Sequence, residues 1–158
     1  MIAAVDPGLK GAIALFDDRQ LVDIIDMPVD IETKGKRTVK NINAPLVVGT
    51  LIEHQVTQVV LERLGLRPKE GVVSAQKAGI GWGVIYGATL ARGIPIELVT
   101  ASVWTGALGV GNDKATHVRR ACELWPTHAA AGLFHGPRGG EKDGCADAAL
   151  IGHWWITK

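Results

Sequence analysis

The sequence predicts an α/β fold: a mixed five-stranded sheet in the order 3-2-1-4-5, flanked by helices. Three observations predict it. Two short apolar runs, Ile2 to Val5 and Ala12 to Phe16, are joined through Asp6, Pro7, Gly8 and Gly11, which reads as a hairpin with a tight glycine-dependent reversal. Gln20 to Asp26 continues the hairpin into a meander. After residue 43, strand-like and helix-like stretches alternate, and right-handed crossover then places the fourth strand beside the first and parallel to it.

The remaining elements follow in chain order. Met27 to Asn41 reads as a charged loop carrying Lys34, Lys36, Arg37 and Lys40. Asn43 and Pro45 open a helix whose Leu46, Val47, Leu51 and Ile52 fall at helical spacing, to about Gln55. Thr57 to Glu62 is a strand with a Val-Val-Leu centre that ends on an acid. Arg63 to Gly71 is a polar loop, and Val72 to Arg92 a long helix containing Gly79, Gly81, Gly83 and Gly87. Each glycine costs a helix roughly 1 kcal/mol relative to alanine. Four of them imply either close approach of another backbone, such as a partner subunit's helix, or an interrupted helix. Ile94 to Val99 is the fifth strand. Asn112 or Asp113 caps a helix through Leu124 that Pro126 stops. Gly132 to Gly140 is a loop, and a last helix runs from about Asp143 to Trp155.

Bulk properties narrow the class. A length of 158 residues with 47% apolar and 21% charged side chains describes one soluble globular domain over 1–158. No apolar run reaches the ~18 residues of a membrane span, and there is no secretory leader pattern, so an intracellular, cytoplasmic protein is expected. Two cysteines form no disulfide framework, and the histidines and cysteines show no zinc spacing. The net charge of +1 gives no strong polyanion signal unless several acids are neutralised by bound cations.

The acids carry the chemistry. Asp6 and Glu62 end the first and fourth strands, so they lie at the same end of neighbouring parallel strands ~5 Å apart. Open α/β sheets bind ligands at such carboxyl ends. Asp6 either caps its turn or ligates a metal. Asp143 and Asp147, four apart on the last helix, face one way; Asp143 is either the helix N-cap or a ligand. Asp147 sits within Ala146, Ala148, Ala149, Leu150 and Ile151, an apolar setting that an ordinary surface acid would avoid. Four carboxylates in one pocket repel unless cations neutralise them, and oxygen-only ligands suit Mg²⁺ or Mn²⁺. Two such ions ~4 Å apart serve in-line displacement at a phosphodiester.

Asp-Pro-Gly at the first strand's end, Val-Val-Leu-Glu at the fourth and Ala-Asp-Ala-Ala-Leu-Ile on the last helix, in that order, resemble the RuvC-type Holliday junction resolvases, most closely the phage-borne branch. The similarity in order and spacing spans essentially the whole chain. It implies an RNase H-like fold, a homodimer, Mg²⁺-dependent paired nicking of four-way DNA junctions in the cytoplasm of a bacterial or phage-infected cell, two ions per active site, and Asp6, Glu62, Asp143 and Asp147 as catalytic metal ligands. Two positions depart from the family pattern. Cellular relatives place an acid or histidine three residues before the last Asp, where this chain has Gly144; a basic residue that they carry before their final helices aligns with Trp104. Lys114 matches a second basic position and is the candidate for contacting the scissile phosphate.

Candidate DNA contacts are Lys34, Lys36 and Arg37 in the charged loop, Arg67, Lys69 and Lys77 around the segment after Glu62, and Lys114, Arg119 and Arg120 on one helix, each also readable as an ordinary solvated cation. Trp82 reads as core, dimer contact or a base-stacking wedge; His117, His135 and His153 lack an evident partner, with His135 a possible group acting on water. Within the same fold the alternatives are a broader branched-DNA nuclease and a YqgF-like RNA-processing nuclease. Outside it stands a non-catalytic junction-binding scaffold. An actin-like nucleotide-binding fold needs a second Gly-rich hairpin and about twice the length.

Overall fold

The computed structural model describes residues 1–65 and 71–158, with Lys34 through its backbone alone. The chain runs β1 (Ile2–Asp6), β2 (Ala12–Asp17), β3 (Gln20–Asp26), β4 (Val29–Lys34), β5 (Arg37–Ile42), α1 (Ala44–Glu53), β6 (Gln58–Glu62), α2 (Val72–Ala91), β7 (Ile96–Val99), α3 (Ala101–Leu108), α4 (Lys114–Leu124), α5 (Pro126–Ala130) and α6 (Asp143–Thr157). The main sheet has the order β3-β2-β1-β6-β7, with the meander antiparallel and β1-β6-β7 parallel. This is the expected arrangement. The fourth and fifth strands are numbered six and seven because a hairpin intervenes.

That hairpin corrects the sequence reading of residues 27–41 as a loop. β4 and β5 pair in full antiparallel register from Val29↔Ile42 to Lys34↔Arg37, closed by Gly35 in the left-handed region (φ 64°) at the first turn position. The alternation of Val29, Ile31 and Thr33 is present in the sequence but submerged by charge. Two short helices were also absent from the sequence reading. α3 begins one residue past β7 and ends at Gly109, whose φ of 66° closes it; α5 starts at Pro126, which ends α4 and opens the next turn.

Alternation along the strands divides the core into two layers. Ala3, Val5, Val59 and Leu61 face α1, α2 and the root of the hairpin, together with Ile13, Leu15, Val47, Leu51 and Ile85. Ala4, Ala14, Phe16 and Val60 face the other way, onto Trp104, Val118 and the Cys145–Ile151 stretch of α6. Asp6 and Glu62 continue the parity of Ala4 and Val60, so both belong to the α6 side. The register Val5↔Leu61, carried one residue further, sets them side by side.

α6 lies unusually close to the sheet, and two glycines allow it. A Cβ on Gly144 would fall 2.7 Å from Gly11 Cα and collide with the Lys10 carbonyl; one on Gly152 would fall 2.7 Å from Phe16 Cζ. At its far end the Arg19 guanidinium donates through Nε (3.0 Å) and Nη2 to the Ile156 carbonyl, a contact suited to a helix C-terminus. The helix that carries Asp147 is thus seated at both ends. α2 is one continuous helix rather than an interrupted one. Gly81 lets Ile42 approach (3.2 Å to a Cβ built there), whereas Gly83 and Gly87 face open space. Among the described residues no helix is long and apolar enough to cross a membrane.

Candidate active site

Asp6, Glu62 and Asp147 come from three separate elements and meet at the carboxyl ends of β1 and β6. Asp6 caps its turn: Oδ1 accepts the Gly8 N–H at 3.1 Å, while the other oxygen remains free of hydrogen bonds among the described residues. Gly11 makes that turn possible, because a Cβ there would lie 2.9 Å from the Gly8 nitrogen. Glu62 is held through its backbone, whose carbonyl accepts the Trp82 indole N–H at 2.9 Å. Trp82 stacks on Tyr86 (centroids 4.8 Å apart). Its role is therefore to pin the strand end that carries Glu62, and the base-wedge reading falls away.

Asp147 is 1% exposed, and both its oxygens are engaged. Oδ2 accepts from the Lys114 ammonium and Oδ1 faces His117 Nδ1 at 2.6 Å. The other ring nitrogen of His117 donates to the Gly111 carbonyl at 3.0 Å. A carboxylate oxygen and a carbonyl both accept, so the ring must donate at each nitrogen and is an imidazolium. Its pKa is raised: burial acts to lower it, and the hydrogen bond and charge of Asp147 outweigh burial. The pKa of Lys114 is raised against burial by the same partner. His117 is the functional residue that sequence reasoning missed. The available signal was its i+3 spacing from Lys114 just after the Asp113 cap, which puts both cations on one side of α4.

The carboxylates repel one another. Burial, then the charge of Asp147, pushes Asp6 up from 3.8 to about 6, against the opposing Gly8 N–H and Lys114. Burial, then Asp6 and Asp147, pushes Glu62 from 4.5 to about 7. Trp104, buried edge-on to His117 (centroids 5.0 Å), brings its indole N–H near enough to Glu62 to favour the charged form. That N–H still completes no hydrogen bond of normal geometry and is an orphaned buried donor. Trp104 thus packs against His117 and stands beside Glu62. Asp143 is the first residue of α6, not its cap: Lys142 holds the cap position and no side chain caps the helix. The Asp143 charge reaches Asp6 and Lys114 from the rim. No side chain can stand at Gly144 without a shift, because the Lys10–Gly11 turn occupies the space it would need.

Four acids against two cations, all oxygen donors, fit hard divalent ions by charge and chemistry. Among the described residues no three acid, histidine or cysteine side chains stand close enough to share an ion as placed. To share an ion, the acids would have to move closer together and Asp147 would have to release Lys114. A pH dependence follows for the metal-free protein. Between the ordinary carboxyl values (3.8 and 4.5) and the raised ones (about 6 and about 7), the fold holds protons the unfolded chain has released. Stability falls as pH rises through that range. The His117 contribution, complete below 6.5, is lost as pH climbs through its raised folded value. All three act in one direction, so thermal unfolding in EDTA should show Tm dropping by about 5 °C or more between pH 5 and pH 8. Mg²⁺ should flatten the slope.

Beside Asp6 and Glu62 lies a cleft of about 910 Å³, lined by the Asp6–Leu9 turn, Lys40 to Ile42 of β5, Glu62 to Gly65, the first half of α2 and Thr100 to Ser102; Asp143 and Asp147 do not line it. Of the sequence-predicted DNA contacts, Lys77 lines it; Lys40 of the charged 27–41 segment and Arg63 do too. Lys36 and Arg37 stand on the hairpin, as does Lys34 by backbone position. Arg119 is exposed on α4. Arg120 pairs with Glu123 at 3.1 Å and lies close enough to His153 to lower its pKa, along with burial, so it faces away from Asp147. Arg67 and Lys69 lie outside the described residues. His135 bridges to Glu141 and has no contact with the acids among the described residues.

Three solved structures share this architecture from end to end. Thermus thermophilus RuvC is 16% identical, with 99% of this chain and 95% of that one covered at a TM-score of 0.57. T. thermophilus RuvC in complex with Holliday junction substrate is 14% identical, covering 97% and 90% at 0.58. The fold is that of the RuvC-type resolvases. Ydc2, the yeast mitochondrial Holliday junction resolvase, agrees at 17% identity, 98% and 77% coverage and a TM-score of 0.58. No protein-family profile matches the chain, and no curated relative does. The RuvC fold is therefore shared here at a sequence identity of 14–17%.

Proposed function

We propose that this chain is a structure-selective endodeoxyribonuclease that resolves four-way DNA junctions by metal-dependent hydrolysis of phosphodiesters in symmetry-related strands. The observation that carries the reading is the meeting of Asp6, Glu62 and Asp147 at one sheet end within the RuvC fold, with their charges mutually unfavourable. Asp6, Glu62, Asp147 and, from the rim, Asp143 would hold Mg²⁺ or Mn²⁺, two ions per site, which when bound lower the pKa of the attacking water and stabilise the leaving 3′-oxygen.

The protein groups do the rest. His117 keeps hold of Asp147 Oδ1 and fixes the orientation of that carboxylate. Lys114, the first residue of α4, would be freed from Asp147 if that carboxylate took a metal ion, and there a phosphate oxygen is favoured by the helix end and by the ammonium together. Lys40, Arg63 and Lys77 rim the cleft through which the cut strand passes. Selection rests on backbone geometry, since nothing in the site calls for base identity.

Paired nicking needs two copies. Along α2 the exposed Val73, Ile80 and Leu90 share a stripe with Gly83 and Gly87, whose open faces leave room for a second helix backbone. We place the homodimer contact there, and sedimentation should give a mass twice the 16.8 kDa of the chain.

An immobile four-way junction incubated with the protein and Mg²⁺, with products mapped on all four strands beside flap and structured-RNA controls, tests the reading. Symmetric nicks leaving 5′-phosphate and 3′-hydroxyl ends on the junction are expected. Cleavage of RNA with the junction left whole would reassign the chain to RNA processing, and binding without product in either Mg²⁺ or Mn²⁺ would make it a scaffold.

A further inference from the structure

The β4–β5 hairpin is anchored at its root and bare beyond it. Ile42 packs on Gly81, the Asn43 N–H bonds the Pro28 carbonyl at 2.9 Å, and Asn43 Nδ2 bonds Asp30 at 2.6 Å. Past that root the hairpin projects into solvent, with Ile31 62% exposed. A two-stranded ribbon of this kind gains little stability from itself in water, so its retention calls for a partner.

Its side chains are sorted. Cross-strand partners share a face, which puts Asp30, Glu32, Arg37, Val39 and Asn41 on one side and Ile31, Thr33, Thr38 and Lys40 on the other. Both acids of the hairpin are on the first face. The second has none, continues from the buried Ile42, and carries Lys40 into the cleft beside the acids of the site. Lys36 and Arg37 stand at the turn end, and no ion pair joins Lys36, Arg37 or Lys40 to an acid among the described residues. Lysines on an exposed edge strand guard against edge-to-edge pairing, which would account for cations on either face. It does not account for a face from which acids are excluded and which leads into the active-site cleft.

We propose that the β4–β5 hairpin is a duplex-binding ribbon, laying its acid-free face along one arm of the branched DNA whose strand is cut. The inference rests on the nuclease reading above. Lys40 meets the backbone phosphate nearest the cut, Ile31 packs against sugar, the two threonine hydroxyls meet phosphates further out, and Lys36 with Arg37 reaches phosphates from the tip of the ribbon. Six residues of strand span about 20 Å, or roughly six base pairs of duplex.

The test compares wild-type protein with Lys36→Ala/Arg37→Ala/Lys40→Ala and with Thr38→Glu, both at exposed positions outside the core, on a long-armed junction without divalent ions. Hydroxyl-radical footprinting should show wild-type protection running about six base pairs from the junction along one arm, with the distal part lost in both variants and the centre retained. In the triple variant, the slope of log K against log salt should shrink by about 2 to 3. An unchanged footprint and slope, or a loss spread evenly over centre and arm, overturns the ribbon and leaves the nuclease reading standing. Wild-type protein that neither binds nor cuts junctions overturns the nuclease reading itself.

Discussion

Asp6→Asn or Glu62→Gln lowers junction cleavage by about 10³-fold or more, and leaves junction affinity within about twofold. The size follows from the several kcal/mol that metal ligation supplies to phosphodiester hydrolysis, at 1.36 kcal/mol per tenfold in rate. Affinity survives because Lys40, Lys77 and the hairpin lie outside the acid cluster. Stability moves the opposite way. Glu62 is carried in the fold with its pKa raised to about 7 by burial and by two neighbouring acids. Removing that charge stabilises the metal-free protein at pH 8 by on the order of 2 kcal/mol. A variant that melts higher and cuts nothing is the signature of an acid kept for function. Single-turnover cleavage and thermal unfolding in EDTA, on the same preparations, check both halves. Unchanged cleavage in either variant would remove that carboxylate from the mechanism.

Gly144→Ala is expected to reverse the ordinary sign of a glycine-to-alanine change in a helix. Helix propensity alone favours alanine by about 1 kcal/mol. At this position the new methyl group would meet the Lys10 carbonyl and Gly11 Cα at 2.7 Å, and both are backbone in a turn that cannot rotate away. Overpacking of that kind costs typically 1–3 kcal/mol, so after the propensity gain the net effect is a loss of about 1 kcal/mol. The larger consequence is functional. Lifting the first turn of α6 off the Lys10–Gly11 turn moves Asp143 and Asp147 away from Asp6 and Glu62. Cleavage should fall by about 10²-fold or more, since misplacement of about 1 Å costs that much. Denaturant unfolding and cleavage rates check it. A Gly144→Ala protein as stable and active as wild type would mean that the helix does not need its close seat.

The acids were legible early because their physics is one-dimensional. A strand ending on Glu62, a turn opening on Asp6 and an Asp147 buried in alanines each break a local rule, and a broken rule in sequence points to a site. The sheet order followed from crossover handedness. His117 was not legible, because its partner lies 30 residues away and only the packing of α4 on α6 brings them together. Trp104 was visible as a departure from the family but not as a support, since its contacts to His117 and Glu62 are tertiary. The hairpin was hidden for another reason. Its strands are exposed on both faces, so charge replaced the apolar alternation that marks a half-buried strand. Gly144 and Gly152 gave no sequence signal beyond being glycines. Their meaning is the distance between a helix and a sheet.

The most direct measurement is Mn²⁺ titration of the wild-type protein, Asp6→Asn and Glu62→Gln, followed by electron paramagnetic resonance at pH 7.5. Acids that share a pocket should bind two magnetically coupled ions per wild-type chain, with at least one ion and the coupling lost in each variant. Weak, uncoupled binding that is the same in all three proteins would contradict the shared site and the chemistry built upon it.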